Sequence, residues 1–406
     1  MLSDFVVEGS LPNRFRELWD EIAPVGRDAG SGGYLRYALT EPELELRTWF
    51  RSQADRRGLP VTEDGNGNLF AHWGDPETGD AVLTGSHFDS VPHGGAYDGP
   101  LGIVSAFLAV DELRAAGVAP SRPLVLAAFV EEEGARFGVP CLGSRLLSGA
   151  LPAERAAGLR DAAGVSFAEA LGDQPAGARP DLLGRFGAFV ELHVEQGRAL
   201  VEADEPVAVA SAIWPHGRWR FDVVGEGNHA GTTRMADRRD PMLTYAFTVL
   251  AANKEARLRG AHATVGRVAV EPNATNAIPS KVTGWLDARA ADPETLAGLV
   301  DAVRGKLAER ARRDGTAVTV TEESVTPLVA FDGALAGRLA TLLGAPVLPT
   351  GAGHDAGVLA AHLPTAMLFV RNPTGVSHSP AEAATDADCA AGVRALARVL
   401  EELTCR

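Results

Sequence analysis

Three cysteines in 406 residues, Cys141, Cys389 and Cys405, cannot staple a disulfide framework, and no CxxC pair stands among them. A disulfide-rich fold and a thiolate metal site are thereby excluded. No apolar run approaches the roughly 20 residues that span a bilayer. Met1 to Arg16 carries Asp4 and Glu8 where a signal peptide has its basic and apolar blocks. The reading is a chain with no membrane span, in a reduced cytoplasm. Positive charge is also short: 38 Lys and Arg face 53 Asp and Glu, a net charge of -15. Nucleic-acid surfaces need clustered cations, so no nucleic-acid partner is expected. There is no internal repeat and no low-complexity tract.

What is present is a soluble globular composition, 46% hydrophobic and 22% charged. At this length two domains are expected. Pro42 to Ala54 reads as a helix, and Val61 to Trp73 alternates around the turn Asp64-Gly65-Asn66-Gly67-Asn68, a hairpin signal. Strand Ala81 to Leu83, helix Leu101 to Ala116 and strand Leu124 to Phe129 follow in the βαβ rhythm of a parallel sheet. Phe189 to Val194 is another strand. Residues 152–180, rich in Ala, Gly, Asp and Pro, read as a surface excursion.

Near Trp214 the pattern changes. Strand Arg218 to Val224, helix Asp240 to Arg257, strands His262 to Val270 and Lys281 to Arg289, helix Pro293 to Arg312 and strand Ala317 to Thr321 give β-α-β-β-α-β, a ferredoxin-like unit. Helix Gly333 to Leu343, strand Ala366 to Val370 and helix Asp386 to Leu403 then resume the first pattern. The expected fold is α/β: a discontinuous domain, 1–212 and 327–406, with a mixed, mostly parallel sheet, and an inserted α+β domain at 213–326.

Chemistry-bearing residues fall mainly at strand ends, where open α/β sheets place ligands. The densest stretch is Gly85-Ser86-His87-Phe88-Asp89-Ser90-Val91-Pro92-His93-Gly94-Gly95-Ala96-Tyr97-Asp98-Gly99. Glu131-Glu132-Glu133 ends strand Leu124 to Phe129, and three carboxylates there repel one another unless a cation is near. Glu191, His193 and Glu195 alternate onto one face, and His378 lies in a turn after strand Ala366 to Val370. A single histidine in such a place is more often structural than a ligand, but several at strand ends of one scheme point to a metal. A pair of ions about 3.5–4 Å apart wants a bridging carboxylate and separate terminal ligands. His87, Asp98, Glu133, His193 and His378 can supply that set, leaving Glu132 beside it as a general base. A fifth cluster, Gly225 to Thr233 with His229, lies in the insertion.

The sequence resembles the amidohydrolases that include N-carbamoyl-L-amino-acid hydrolase, allantoate amidohydrolase and β-ureidopropionase, within the di-zinc aminoacylase and carboxypeptidase superfamily. The resemblance runs from about residue 35 to 400. It is carried by GSHFDSVPHGGAYDG, EEEGARFG, ELHVEQG, GNHAGTT, ATNAIP, DAR at 287–289, GAGHDAG and GVSHSP. It implies that Asp98 bridges two divalent ions, Zn first with Mn, Co or Ni as alternatives. His87 and His193 would complete one ion's ligands, and Glu133 and His378 the other's. Glu132 would be the general base, and Asp89 would orient His87. Glu131 matches no such position and reads as structural. His229 would polarise the scissile carbonyl, often from a partner subunit, so a homodimer through the inserted lid domain is implied. Gln196, Asn276 and Arg289 match positions that hold a small ureido acid, with Arg289 gripping its carboxylate. Arg371 to Gly375 resembles the loop of allantoate-type members, which puts allantoate first and N-carbamoyl amino acids second.

Beyond the resemblance, Gly351 to Gly357 reads as a turn, with His354 and Asp355 as a buried hydrogen-bonded pair. His72, His93, His216, His262 and His362 carry no functional expectation, and Cys141 reads as core. Two rival functions are a dipeptidase or aminoacylase, and a binding module that kept the fold without catalysis. A silent module should have lost a ligand or the base, and none is missing.

Overall fold

The computed structural model describes residues 9–405. The chain divides into two compact units: one ends at Ser211 and resumes at Ala330, and Ala212–Val329 forms the other. No helix is long and apolar enough to cross a membrane.

The first unit is built on a nine-stranded sheet. Its centre is four parallel strands in the order Leu124–Phe129, Ala81–His87, Phe186–Val194 and Thr365–Val370. Antiparallel strands Leu69–Trp73 and Val207–Ile213 flank these four. The four are buried almost throughout, as expected for parallel strands covered on both faces. On one face lie helices Leu11–Ile22, Pro100–Ala115 and Asp386–Cys405, which share a core through Phe15, Trp19, Phe107, Leu396 and Leu400. Pro100–Ala115 is buried on every side from Pro100 to Asp111, so it shows little polar periodicity. Phe70 makes an edge contact with Phe129 on the neighbouring strand, and Phe129 makes another with Phe189 across the intervening strand Ala81–His87.

Three details differ from what the sequence predicts. The strand begun at Ala81 runs through His87 and not only to Leu83. Gly85 interrupts the apolar run but not the strand: its φ is +151°, and a Cβ there would lie 2.1 Å from the Ala127 carbonyl oxygen of the neighbouring strand. Glycine therefore permits the close approach, and His87 is delivered on a rigid strand end. Residues 152–180 are also anchored. They carry short helices Ala153–Ala157 and Phe167–Leu171, and Ala156 and Phe167 join a core with Val130, Phe137 and Leu142. Helix Leu11–Ile22 is an element beyond those predicted, and Phe15, Trp19 and Ile22 recur in it at helical spacing behind Pro12.

The second unit is a four-stranded antiparallel sheet in the order Ala317–Thr326, His216–Val224, Lys281–Arg289 and His262–Glu271. Trp219, Phe221 and Leu286 pack against Leu299, Val303 and Leu307 of helix Pro293–Asp314 and against Ala252 and Ala256 of helix Pro241–Arg259. A separate two-stranded ribbon pairs Asn228–His229 with Ala277–Ile278.

Gly85→Ala should lower unfolding free energy by roughly 3 kcal/mol, because strain and a backbone clash act together. Urea denaturation followed by circular dichroism checks this, and an unchanged midpoint would show that the strand pair has room for a Cβ.

Candidate metal centre

The carboxyl ends of the four parallel strands converge on Asp98. His87 is the last residue of one strand, and His193 the penultimate residue of the next. Glu133 follows Phe129, and His378 lies in the loop beyond Val370. His87 Nε2 lies 3.5 Å and His193 Nε2 3.1 Å from Asp98 Oδ1. On the other carboxylate oxygen, His378 Nε2 lies 3.5 Å from Asp98 Oδ2 and also 3.5 Å from Glu133 Oε2. Two triads result, His87–Asp98–His193 and Asp98–Glu133–His378, each able to hold one ion and both using Asp98. The side chain of His378 is 48% exposed, so the second triad opens to solvent while the first is buried.

Four features fit divalent ions. The Nε2 atoms of His87 and His193 are buried and lack any hydrogen-bond partner, an expensive state for a polar atom without a ligand. Each ring's other nitrogen meets a main-chain carbonyl, Asp89 at 3.0 Å for His87 and Val194 at 2.9 Å for His193. That arrangement leaves Nε2 as the lone-pair donor. Glycine makes room: a Cβ on Gly99 would lie 2.5 Å from the His87 ring. The charge balance also asks for cations. Asp89, Asp98, Glu131, Glu132, Glu191, Asp355 and Glu382 are all buried, and burial raises Glu132 and Glu133 well above the usual carboxylate range. Burial pushes Asp98 up too, but the adjacent His193 and His87 outweigh it and hold Asp98 well below its ordinary value.

Asp89 acts differently from the expectation. Its main-chain carbonyl is the nearer partner of His87, while its carboxylate stands 3.6 Å from His87 Nδ1. That carboxylate instead accepts the main-chain N–H groups of Glu132 at 3.1 Å and Glu133 at 3.0 Å. It thus fixes the loop carrying the base and a ligand, because an aspartate after a strand end reaches the next strand's exit. Glu132 Oε2 lies 3.7 Å from His87 Nε2, and its Oε1 accepts from Cys141 Sγ at 3.4 Å. Cys141 is buried as expected, but it touches the proposed base. Glu131 turns away with φ +53° and accepts from Arg136 N and Phe137 N.

Gln196 is brought to the centre, donating through Nε2 to Asp98 Oδ2 at 2.8 Å. His354 and Asp355 do not bond each other. Asp355 accepts from Ser144 Oγ at 2.5 Å, because it opens helix Asp355–Leu359 pointing away from His354. The His354 ring packs at 4.5 Å against His193 with its Nε2 unpartnered. Glu191 serves the site from the face it shares with His193, and Ser377 and Glu382 serve it with no sequence signal. Glu191 joins Ser86 Oγ to Ala356 N, and Ser377 Oγ donates to Asp98 Oδ2 at 3.2 Å. Arg371 pairs with Asp388 at 2.8 Å and Asp204 at 3.0 Å, so its charge is already matched.

In the second unit His229 and Asn276 lie together on an open groove with Asn228, Ala277 and Ile278. Gly231 N and Thr232 N donate to His229 Nδ1 at 3.0 and 3.2 Å, so the neutral ring carries its proton on exposed Nε2. The Asn276 carbonyl accepts from Ala230 N, which ties the two segments. Arg289 grips a carboxylate here, that of Asp287, with Nε at 2.8 Å and Nη2 at 3.3 Å.

Residues 83–402 match the model of peptidase family M20/M25/M40. The chain is 38% identical over 407 residues to N-carbamoyl-L-amino acid amidohydrolase of Geobacillus stearothermophilus, with 95% of this chain and 98% of that protein covered. It is 32% identical over 407 residues to allantoate amidohydrolase of Escherichia coli (strain K12), covering 96% and 98%. A crystal structure of an amidase of the hydantoinase/carbamoylase family from Burkholderia multivorans superimposes with TM-score 0.86 at 31% identity, covering 97% of this chain and 98% of that one.

Chelator-treated protein should melt several degrees lower than protein resupplied with Zn²⁺ or Mn²⁺, since an ion at about 100 times its dissociation constant adds about 2.7 kcal/mol. Differential scanning fluorimetry reads the shift. Identical melting curves with and without metal would argue that the Asp98 cluster holds no ion.

Proposed function

The chain belongs to peptidase family M20/M25/M40, and on that premise we propose a dinuclear amidohydrolase that cleaves a ureido C–N bond in a carboxylate-bearing small molecule. The observation that carries this is the pair of ligand triads sharing Asp98, with Glu132 beside them. His87, Asp98 and His193 would hold one ion, and Asp98, Glu133 and His378 the other. Zn²⁺ is the first choice for this nitrogen and oxygen set, with Mn²⁺, Co²⁺ and Ni²⁺ as alternatives. Such a pair lowers the pKa of water toward neutrality and polarises a carbonyl.

The protein's own groups do the rest. Glu132 takes the proton of the attacking water and passes it to the leaving nitrogen. His229 donates from Nε2–H to the carbonyl oxygen as negative charge develops there. Arg289 exchanges Asp287 for the substrate carboxylate, and Gln196 and Asn276 hold the ureido end. Collapse of the tetrahedral carbon expels one nitrogen, and the carbamate left behind loses carbon dioxide.

N-Carbamoyl-L-amino acids now stand before allantoate. The Arg371 loop was the ground for allantoate, and Arg371 is committed to Asp388 and Asp204. The 38% identity to a carbamoyl-amino-acid hydrolase points the same way.

The active assembly in this proposal is a homodimer through the insertion, with His229 delivered from the partner subunit. Its support is an apolar stripe on helix Pro241–Arg259, where Leu243, Phe247, Leu250 and Leu258 are all exposed, beside the sheet-edge strand His262–Glu271.

Ammonia release by metal-loaded protein on N-carbamoyl-L-amino acids, N-carbamoyl-β-alanine and allantoate, and free amino acid release on dipeptides, test the function. Turnover of ureido acids alone is expected, and cleavage of only the dipeptides would overturn the ureido reading. Glu132→Ala should cut kcat at least about 100-fold while metal content stays unchanged. Leu250→Asp should give monomers in analytical ultracentrifugation and lose turnover with them. A dimer that survives Leu250→Asp would exclude this stripe as the interface.

A further inference from the structure

Glu382 lies four residues beyond His378, is 6% exposed, and has no part in the proposed chemistry. Its Oε1 accepts two main-chain N–H groups from the loop that carries Asp98: Tyr97 at 2.7 Å and Asp98 at 3.0 Å. Its Oε2 faces Ser377 Oγ at 3.4 Å, and Ser377 in turn donates to Asp98 Oδ2 at 3.2 Å. The Asp98 loop leaves space for this carboxylate: a Cβ on Gly95 would lie 2.3 Å from Glu382 Cδ. The contacts join segments 285 residues apart in the chain. They also join two members of the second triad, the bridging aspartate and its most exposed histidine.

We propose that Glu382 is a positioning residue, a latch that sets the loop of Asp98 against the loop of His378 and so builds the second, solvent-facing ion position. The inference rests on the two-ion reading above. His378 needs such a latch. It sits at φ +55° in a loop held chiefly by Asn372, whose side chain bonds Thr374, Gly375 and Val376 of its own segment. Those bonds shape the loop, Arg198 Nη1 donates to its Thr374 carbonyl at 3.2 Å, and Glu382, beside Ser377, ties it to the Asp98 loop. The first triad hangs on two strand ends and has less need of help.

The test is isothermal titration of chelator-treated protein with Zn²⁺, backed by metal analysis and by far-ultraviolet circular dichroism as a check on folding. Wild type should take up two ions per chain. Glu382→Ala should keep the first ion's affinity within about threefold and weaken the second about 10–100-fold, the usual cost of losing a group behind a ligand. Glu382→Gln, which keeps an acceptor oxygen for both N–H groups, should restore the second ion. Should the alanine variant fail to fold, Glu382→Asp, one methylene too short for both amides, should show the same loss. Two ions bound by Glu382→Ala as tightly as by wild type would overturn the latch. A single ion in wild type would overturn the two-ion reading instead. The latch would then be judged on whether Glu382→Ala weakens that ion.

Discussion

The burial of carboxylates around Asp98 is the constraint that the rest of the catalytic unit answers. Seven are buried there, and the ion pairs of Asp98, Glu132 and Glu133 among the described residues are with histidine, not with lysine or arginine. An ionised carboxylate out of water costs several kcal/mol unless it finds hydrogen-bond donors or a cation. The protein supplies donors from its main chain. Asp89 takes Glu132 and Glu133, Glu382 takes Tyr97 and Asp98, Glu131 takes Arg136 and Phe137, and Glu191 takes Ala356. In the first two cases a carboxylate from one loop holds the backbone of another, so the cost of burial is turned into geometry. Asp98, steadied on Oδ2 by Gln196 and Ser377, faces the Nε2 atoms of His87 and His193 through Oδ1, and neither Nε2 has a hydrogen-bond partner.

That geometry depends on where backbone comes close to backbone or ring. Gly85 lets the His87 strand lie against Ala127, Gly99 lets the His87 ring lie over the chain just past Asp98, and Gly95 admits Glu382. The glycines of the GSHFDSVPHGGAYDG segment are therefore spatial requirements of the ligand set and not only loop formers. The parallel strands add rigidity, since their ends cannot shift without breaking ladders on both sides.

Much of this was legible in the residues. Strand Leu124–Phe129, strand Lys281–Arg289 and helix Gly333–Leu343 have the bounds that apolar pattern and turn residues predict. The grouping of histidines and acids at strand ends was legible because parallel topology brings those ends together whatever loops intervene. Side-chain partnerships were not legible. Glu382 looks like any acid after a Ser-Pro turn, and Arg371 looks available until Asp388 and Asp204 are seen beside it. His354 and Asp355 are adjacent in sequence but point to different neighbours. The extension of the strand through Ser86 and His87 was hidden because both are polar, and the partner of Ser86, Glu191, lies far along the chain.

The same charge pattern explains why the proposed reaction would need the insertion. An anionic substrate approaching the catalytic unit meets a concentration of carboxylates, which two divalent ions would offset. Two of the unit's arginines already pair with acids, Arg136 with Asp161 and Arg371 with Asp388. A bidentate carboxylate grip occurs instead at Arg289 in the insertion, which holds Asp287 through two nitrogens. Exchanging that internal carboxylate for the substrate's costs little net pairing, because one ion pair replaces another. An uncharged ureide would then be a poor substrate because it lacks the group that Arg289 releases Asp287 to bind, even though its C–N bond is the same.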